Sequence, residues 1–218
     1  MNSQPCDRTA TRVVVACAAL LGCSGVACSR TVRPKLPMEG GAVAKHAVYL
    51  VDDFAKEGGL SALGTKWSVI TDQVMGGKST ALHTFETLDS RRCIRLLGNV
   101  SLKNNGGFVQ SRLAFDPRGR LLDARQFTGI RLWVRGNGER YNVHLRTSRT
   151  WLPWQYFYAT FDTTSAWTKV ELPFTAFKDA GFTLGTRLNP GKLKTLAIVA
   201  IKKEFQADVA VARIELYR

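Results

Sequence analysis

The sequence predicts an all-β protein, a sandwich or jelly roll of many antiparallel strands. Three observations carry this. Short stretches of alternating apolar and polar residues recur through 46–218, each bounded by turn residues. The chain is rich in Val, Thr and Phe, with 19 glycines and 10% aromatic residues, a composition that favours strands and tight turns. Only one short segment of this region, around Pro173–Ala180, reads as a helix.

Taken in order, the candidate strands are 47–54, 66–71, 79–86, 92–99, 107–115, 129–136, 140–147, 155–162, 167–172, 194–201 and 208–217. Alternation is clearest in Ile130-Arg131-Leu132-Trp133-Val134-Arg135, and Tyr141-Asn142-Val143-His144-Leu145-Arg146 repeats it. Between them, Gly136-Asn137-Gly138-Glu139 reads as a hairpin turn, because Gly and Asn accept positive φ. The same residues spell G-x-G-x-x, but no helix-forming run follows, so a dinucleotide site is excluded. There is no internal repeat and no low-complexity tract.

With 218 residues, the chain suits one domain and a tail, and it is long enough to bury a core without staples. Hydrophobic residues make up 45% and charged residues 22%, which excludes wholesale disorder. Residues 1–22 read as a signal peptide: Arg8 and Arg12 precede an uncharged run, 13–21, too short to span a bilayer. Leu20-Leu21-Gly22-Cys23 resembles a bacterial lipobox, which makes Cys23 the expected lipidation site. Cleavage near Gly25–Ala27 and an uncut anchor are the other readings. Residues 23–45 carry Pro34, Pro37, Gly40-Gly41 and four basic residues against Glu39, and read as a flexible basic tether. Such a tether suits an anionic membrane surface, so the expected location is the bacterial cell envelope, exported and lipid-anchored. Residues 46–218 form the β domain. The five cysteines fit no disulfide scaffold, and Cys93, between Arg92 and Ile94, reads as a buried small hydrophobe.

Lys and Arg number 31 against 17 Asp and Glu, a net charge of +14. The basic residues are scattered along strands rather than gathered on a helix, so nucleic acid is not the expected partner, and anionic envelope lipid suits the charge better. None of His46, His83 and His144 sits at a metal-ligand spacing, and there is no C-x-x-C. No metal or cofactor is expected beyond a structural Ca²⁺ at Asp52, Asp53 or Asp72. No G-x-S-x-G or C-G-x-C-W marks a nucleophile, and the chain reads as non-catalytic.

Two glycine-bearing segments stand out. One runs from Trp67 to Ser79 through Asp72-Gln73-Val74-Met75-Gly76-Gly77. The other runs from Gly98 to Arg112 through Asn104-Asn105-Gly106-Gly107-Phe108. Paired glycines permit a bend or close backbone approach that a Cβ would block. Together the segments resemble the complex I intermediate-associated protein 30 family, whose pattern is W-x-x-x-x-D-x-V-M-G-G-x-S followed by N-N-G-G-F-x-x-x-R. Gly136–Tyr141, Trp154-x-Tyr156-x-x-x-x-Phe161, Trp167 and Leu172-Pro173-Phe174-x-x-Phe177 extend the resemblance over about 48–217. It departs over Ala197–Glu204, where the family usually has a glycine-containing stretch after the strand and this chain has Lys202-Lys203-Glu204-Phe205-Gln206. The resemblance implies a galactose-binding-like β-sandwich and a non-catalytic assembly chaperone for respiratory complex I.

Two sets of candidate binding residues follow. Asp72, Gln73, Met75, Gly76, Gly77, Ser79, Asn104, Asn105, Gly106, Gly107 and Arg112 form one loop site for a protein partner, a membrane complex or assembly intermediate, or else simply shape turns. Arg112 either pairs with Asp72, receives an acidic partner, or faces solvent. Trp151, Trp154, Tyr156 and Tyr158 form the second set. Their rings suit sugar faces, which makes a carbohydrate or envelope-polymer-binding module the alternative. Trp154, Tyr156 and Tyr158 share one strand face, which core packing explains more simply.

Overall fold

Alternation gives each strand one apolar face, and two sheets close over those faces. The computed structural model describes residues 48–180 and 187–218. The predicted signal peptide, Cys23 and the tether lie outside the described residues. Twelve strands appear among them: β1 (Tyr49–Asp52), β2 (Ser68–Thr71), β3 (Thr80–Leu88), β4 (Arg91–Val100), β5 (Phe108–Ala114), β6 (Gly129–Gly136), β7 (Arg140–Thr147), β8 (Phe157–Asp162), β9 (Thr168–Pro173), β10 (Lys178–Asp179), β11 (Leu193–Ile201) and β12 (Phe205–Tyr217). Five short 3-10 turns join them, and no α-helix occurs among the described residues. The predicted jelly-roll sandwich is the observed architecture.

The first sheet runs β3-β4-β12-β6-β9, and the second runs β10-β8-β7-β11-β5-β2. All pairings are antiparallel. Strand β12 organises the first sheet. One of its edges pairs with β6, and the other pairs with β4 along Phe205–Val211 and then with β1 along Ile214–Leu216. The core lies between the sheets. Ile94, Leu132 and Ile214 of the first sheet face Leu113, Val143 and Leu196 of the second, all at 2% exposure or less. Truncating such a side chain to Ala typically costs about 2–5 kcal/mol. His83 ties the sheets together, its Nδ1 lying 2.8 Å from the Ser111 hydroxyl. Cys93 is fully buried beneath the outer face of the first sheet with Ala210 and Ala212, and burial pushes its thiol up to about 11.

Two expectations are corrected. Gly136–Glu139 is not a hairpin: β6 lies in the first sheet and β7 in the second, so the turn is an arch between layers. Glycine supplies the reversal, Gly138 at φ +85°, but the partners are set by which face each strand buries. Tyr141 fixes the arch. Its hydroxyl donates to Asn137 Oδ1 at 2.8 Å and accepts from the Asp208 amide at 2.8 Å. The segment Pro173–Ala180 is not a helix but one 3-10 turn, Phe174–Ala176, followed by the two-residue strand β10. Phe174 and Phe177 are both buried there, a spacing that mimics a helical face.

The outward face of the first sheet is charged and internally neutralised. Arg95 meets Asp208 at 2.8 Å, Arg131 meets Glu215 at 2.8 Å, and Arg135 meets Asp89 at 2.6 Å. Of the basic residues in 130–135, Arg131 is thus paired across strands and Arg135 to the turn between β3 and β4.

Candidate functional site

The two glycine-bearing segments meet at one buried carboxylate. Thr71 caps a 3-10 turn, Asp72–Met75, that leaves the end of β2, and Gly76 ends the turn at φ +86°. The turn brings Asp72, fully buried, against the start of β5. Asp72 Oδ1 accepts from the Ser79 amide at 2.9 Å. Oδ2 accepts from the Gly107 amide at 2.6 Å, from the Phe108 amide at 3.3 Å and from the Ser79 hydroxyl. Burial pushes this carboxyl up, but the donated hydrogen bonds outweigh it and hold the group below the usual carboxylate range. Ser79 extends the joint by accepting from the Ser101 amide at 2.9 Å. A Cβ on Gly77 or Gly106 would collide with the Asp72 carboxylate, which explains glycine at both places.

This geometry sorts the first candidate set. Asp72, Gly77, Ser79 and Gly107 are buried and build the loops. Gln73 donates to the Ser79 carbonyl at 2.9 Å and Asn104 to the Gly76 carbonyl at 3.2 Å, so these side chains brace the same joint from outside. Asn104 and Asn105 both sit at positive φ. The joint leaves Val74 and Met75 in solvent, 70% and 51% exposed. Arg112 does not pair with Asp72. It lies on the outward face of β5, half-buried, with no carboxylate within 4 Å among the described residues.

Met75 and Arg112 line an open groove of about 440 Å³ on the outward face of the second sheet. Val74, Met75, Ile70 and Phe108 form one wall, and Pro153, Trp154 and Tyr156 the other. Gln110, Arg112, His144 and Arg146 lie between them. Cross-strand register explains the floor. Ala197 on β11 is paired with Arg112 on β5 and with His144 on β7, so one methyl group separates two large polar side chains. The His144 ring stacks on Tyr156 with centroids 3.9 Å apart, and burial pushes its imidazole down to about 3, helped by the nearby Lys202 charge. Burial also lowers Arg112, and burial together with the Arg112 charge lowers Arg146. Arg146 donates to the carbonyls of Thr150 and Leu152 at 3.1 and 2.7 Å, which pins the loop carrying Trp154.

The aromatic set is corrected. Trp154, Tyr156 and Tyr158 are not core residues. Trp151 and Trp154 are 83% and 55% exposed, and Tyr156 and Tyr158 are half-buried on the outward face, with Phe157 and Ala159 filling the core instead. The period was right, but period alone does not say which face turns inward, and here Phe157, Ala159 and Phe161 do while Asp162 shares the outward face with the tyrosines. Of this set only Trp154 and Tyr156 line the groove.

The carboxylates suggested for Ca²⁺ have other partners. Asp52 accepts from the Trp67 indole at 2.7 Å and from the Phe54 and Ala62 amides, and Asp72 is engaged as described. No cluster of three His, Cys, Asp or Glu side chains suited to a metal occurs among the described residues.

The sequence model described as complex I intermediate-associated protein 30 matches residues 53–210, most of the chain. The chain belongs to that family. The match spans every element that builds the Asp72 joint and the groove, so this complex I intermediate-associated protein 30 domain presents Val74 and Met75 from within its own family pattern. No curated protein matches the chain in sequence. Among solved structures, a family 11 carbohydrate-binding module from Clostridium thermocellum, in complex with a beta-1,3-1,4-mixed-linked tetrasaccharide, is similar. It is 13% identical with a TM-score of 0.58, over 78% of this chain and 94% of that one. The family 11 module of the cellulosomal cellulase Lic26A-Cel5E of the same organism gives 12% identity and a TM-score of 0.59, over 78% and 94%. These likenesses establish the sandwich fold.

Val74, Gln110, His144 and Arg146 are site residues that sequence reasoning missed. For His144 and Arg146 the one signal was alternation, since with Asn142 they share a polar face of β7. Nothing local tells that this face meets β5 and the Asp72 turn.

Proposed function

We propose that this domain is a non-catalytic binding protein of the assembly-factor type, which docks a partner protein in the groove between the Val74–Met75 turn and Trp154. The observation that carries this is the exposure of Val74 and Met75, two large apolar side chains held in solvent by a buried polar joint. Exposed apolar side chains gathered at a groove mark interaction surfaces, and flexible Met suits varied protein contacts. Membership of the complex I intermediate-associated protein 30 family supports an assembly role. Export and a lipid anchor at Cys23 belong to the same proposal, which would place the partner on the outer side of the inner membrane or elsewhere in the envelope. Palmitate-analogue label on the full chain, lost in Cys23→Ala, supports that part, and an unlabelled, uncut chain in the cytoplasm refutes it.

The docking surface is tested by a photo-crosslinking residue placed in cells at position 75, with position 82 as control. Leu82 is 52% exposed on the opposite sheet. A defined protein adduct from position 75 and not from 82 supports the proposal. Equal labelling from both, or none from 75, refutes it. A second reading, a carbohydrate or envelope-polymer-binding module, is favoured by the exposure of Trp151 and Trp154 and by the module-like fold. Glycan binding lost in Trp154→Ala with folding retained is its signature.

A further inference from the structure

Most outward-facing arginines of the sandwich strands meet a carboxylate, Arg140 of β7 with Asp162 at 2.7 Å among them, but the two at the groove do not. On the first sheet Arg95, Arg131, Arg135 and Arg213 each meet a carboxylate. On the second, Arg112 meets none among the described residues, and the charge of Arg146 is directed only at a hydroxyl and at carbonyls of its own loop. Among the described residues, no Asp or Glu lines the groove. Two guanidinium groups on one sheet face, partly stripped of water and without a counter-charge, are costly unless an anion joins them.

A second, independent observation lies beside them. His144 is 6% exposed, and its Nε2 is buried without a hydrogen-bond partner among the described residues. Buried polar atoms are almost always partnered, so an orphan at the floor of an open groove indicates a missing occupant. Next to it, a chamber of about 30 Å³ is bounded by Arg112, His144, Arg146, Tyr156 and Ala197. That is room for one or two oxygen atoms.

We infer that the groove recognises an acidic segment of the partner protein, with a Glu or Asp carboxylate seated over Ala197 between Arg112 and His144. The inference rests on the docking proposal and adds the chemistry of the partner. In the carboxylate complex Arg112 supplies the charge and His144, through Nε2–H, a neutral donor, while Arg146 adds to the positive field. The opposite wall decides between an acidic peptide and an acidic polysaccharide. Ile70, Val74, Met75 and Phe108 offer no polar edge to sugar hydroxyls but suit an apolar side chain next to the acid.

The test is fluorescence anisotropy with the full-length chain and a labelled peptide alternating Glu and Leu. A Gln-for-Glu peptide and polygalacturonate serve as comparison probes. The expected result is saturable binding of the Glu peptide, weakened by about ten- to thirty-fold in the Gln peptide and in Arg112→Gln, with partial recovery in Arg112→Lys. Arg95→Gln, on the opposite face, leaves binding unchanged. Equal binding of the two peptides, or binding unaffected in a folded Arg112→Gln, overturns the inference. Binding of polygalacturonate with no binding of the peptide also overturns it. A position-75 adduct together with indifferent peptides means that docking stands and the acidic partner falls. Neither adduct nor peptide binding means that both fall.

Discussion

The amide of Gly107 donates a 2.6 Å hydrogen bond to Asp72 Oδ2 across 35 residues of sequence, and this bond fastens the turn after β2 to the start of β5. Everything that the groove presents on its Val74–Met75 side hangs from that bond and its neighbours.

Asp72→Ala therefore unfolds the joint rather than trimming a contact surface. It leaves the amides of Ser79, Gly107 and Phe108 without acceptors, at about 1–3 kcal/mol for each buried group. A loss of about 3–5 kcal/mol is expected in urea denaturation, with Gly77→Ala also destabilising because its Cβ strikes the carboxylate. Urea midpoints within experimental error of the parent would show that the joint is dispensable.

Val74→Ser and Met75→Ser behave oppositely. Both side chains are exposed, so stability should stay within about 0.5 kcal/mol of the parent. Partner crosslinking from a neighbouring position should fall. Melting temperatures that drop as far as in the Asp72 variants would place these residues in the fold instead of at the surface.

Acid should destabilise the domain before its carboxylates titrate. His83 and His144 are both pushed down by burial, His144 to about 3, so the folded state prefers them neutral. Their contribution is whole above the unfolded value near 6.5 and is lost as pH falls below it, by up to about 1.4 kcal/mol per pH unit for each histidine. Asp52, raised chiefly by burial, works in the opposite sense and softens the slope. Melting temperatures should stay level from pH 8 to about 6.5 and fall from there to pH 4, less steeply in His144→Gln. Parallel profiles for the two chains would remove His144 from this account.

The β3–β4 hairpin carries Asp89 and Ser90 at φ +47° and +63°. Ser90 is exposed and offers its turn nothing that glycine lacks, so Ser90→Gly should raise stability by about 0.5–1 kcal/mol. A calorimetric scan showing a lower melting temperature would contradict this.

The sequence made the strands legible because period-2 alternation is a local property: each predicted strand is present, with ends shifted by a few residues. It was silent on layer assignment. Gly136 and Gly138 announce a reversal equally well for a hairpin and for an arch, and only the partners of β6 and β7, far away in sequence, decide. The same holds for the site. The Asp72 and Gly107 motifs were visible, yet their roles depend on burial, which turns an apparent binding carboxylate into an internal fastening. Trp154 looked internal because its spacing matched Tyr156 and Tyr158, and spacing cannot distinguish the inner from the outer side of a sheet. Arg112, His144 and Arg146 come from β5 and β7 and converge only because β11 lies between them.

Strand β12 has a consequence for biogenesis. It is central to the first sheet, holding β1, β4 and β6, and it is synthesised after all of them. Until residues 205–217 have left the ribosome, the earlier strands of that sheet lack their common neighbour and the sandwich cannot close over its apolar faces. The nascent polypeptide thus remains open until translation of this region is finished, a delay that leaves its apolar strands accessible to holdase chaperones.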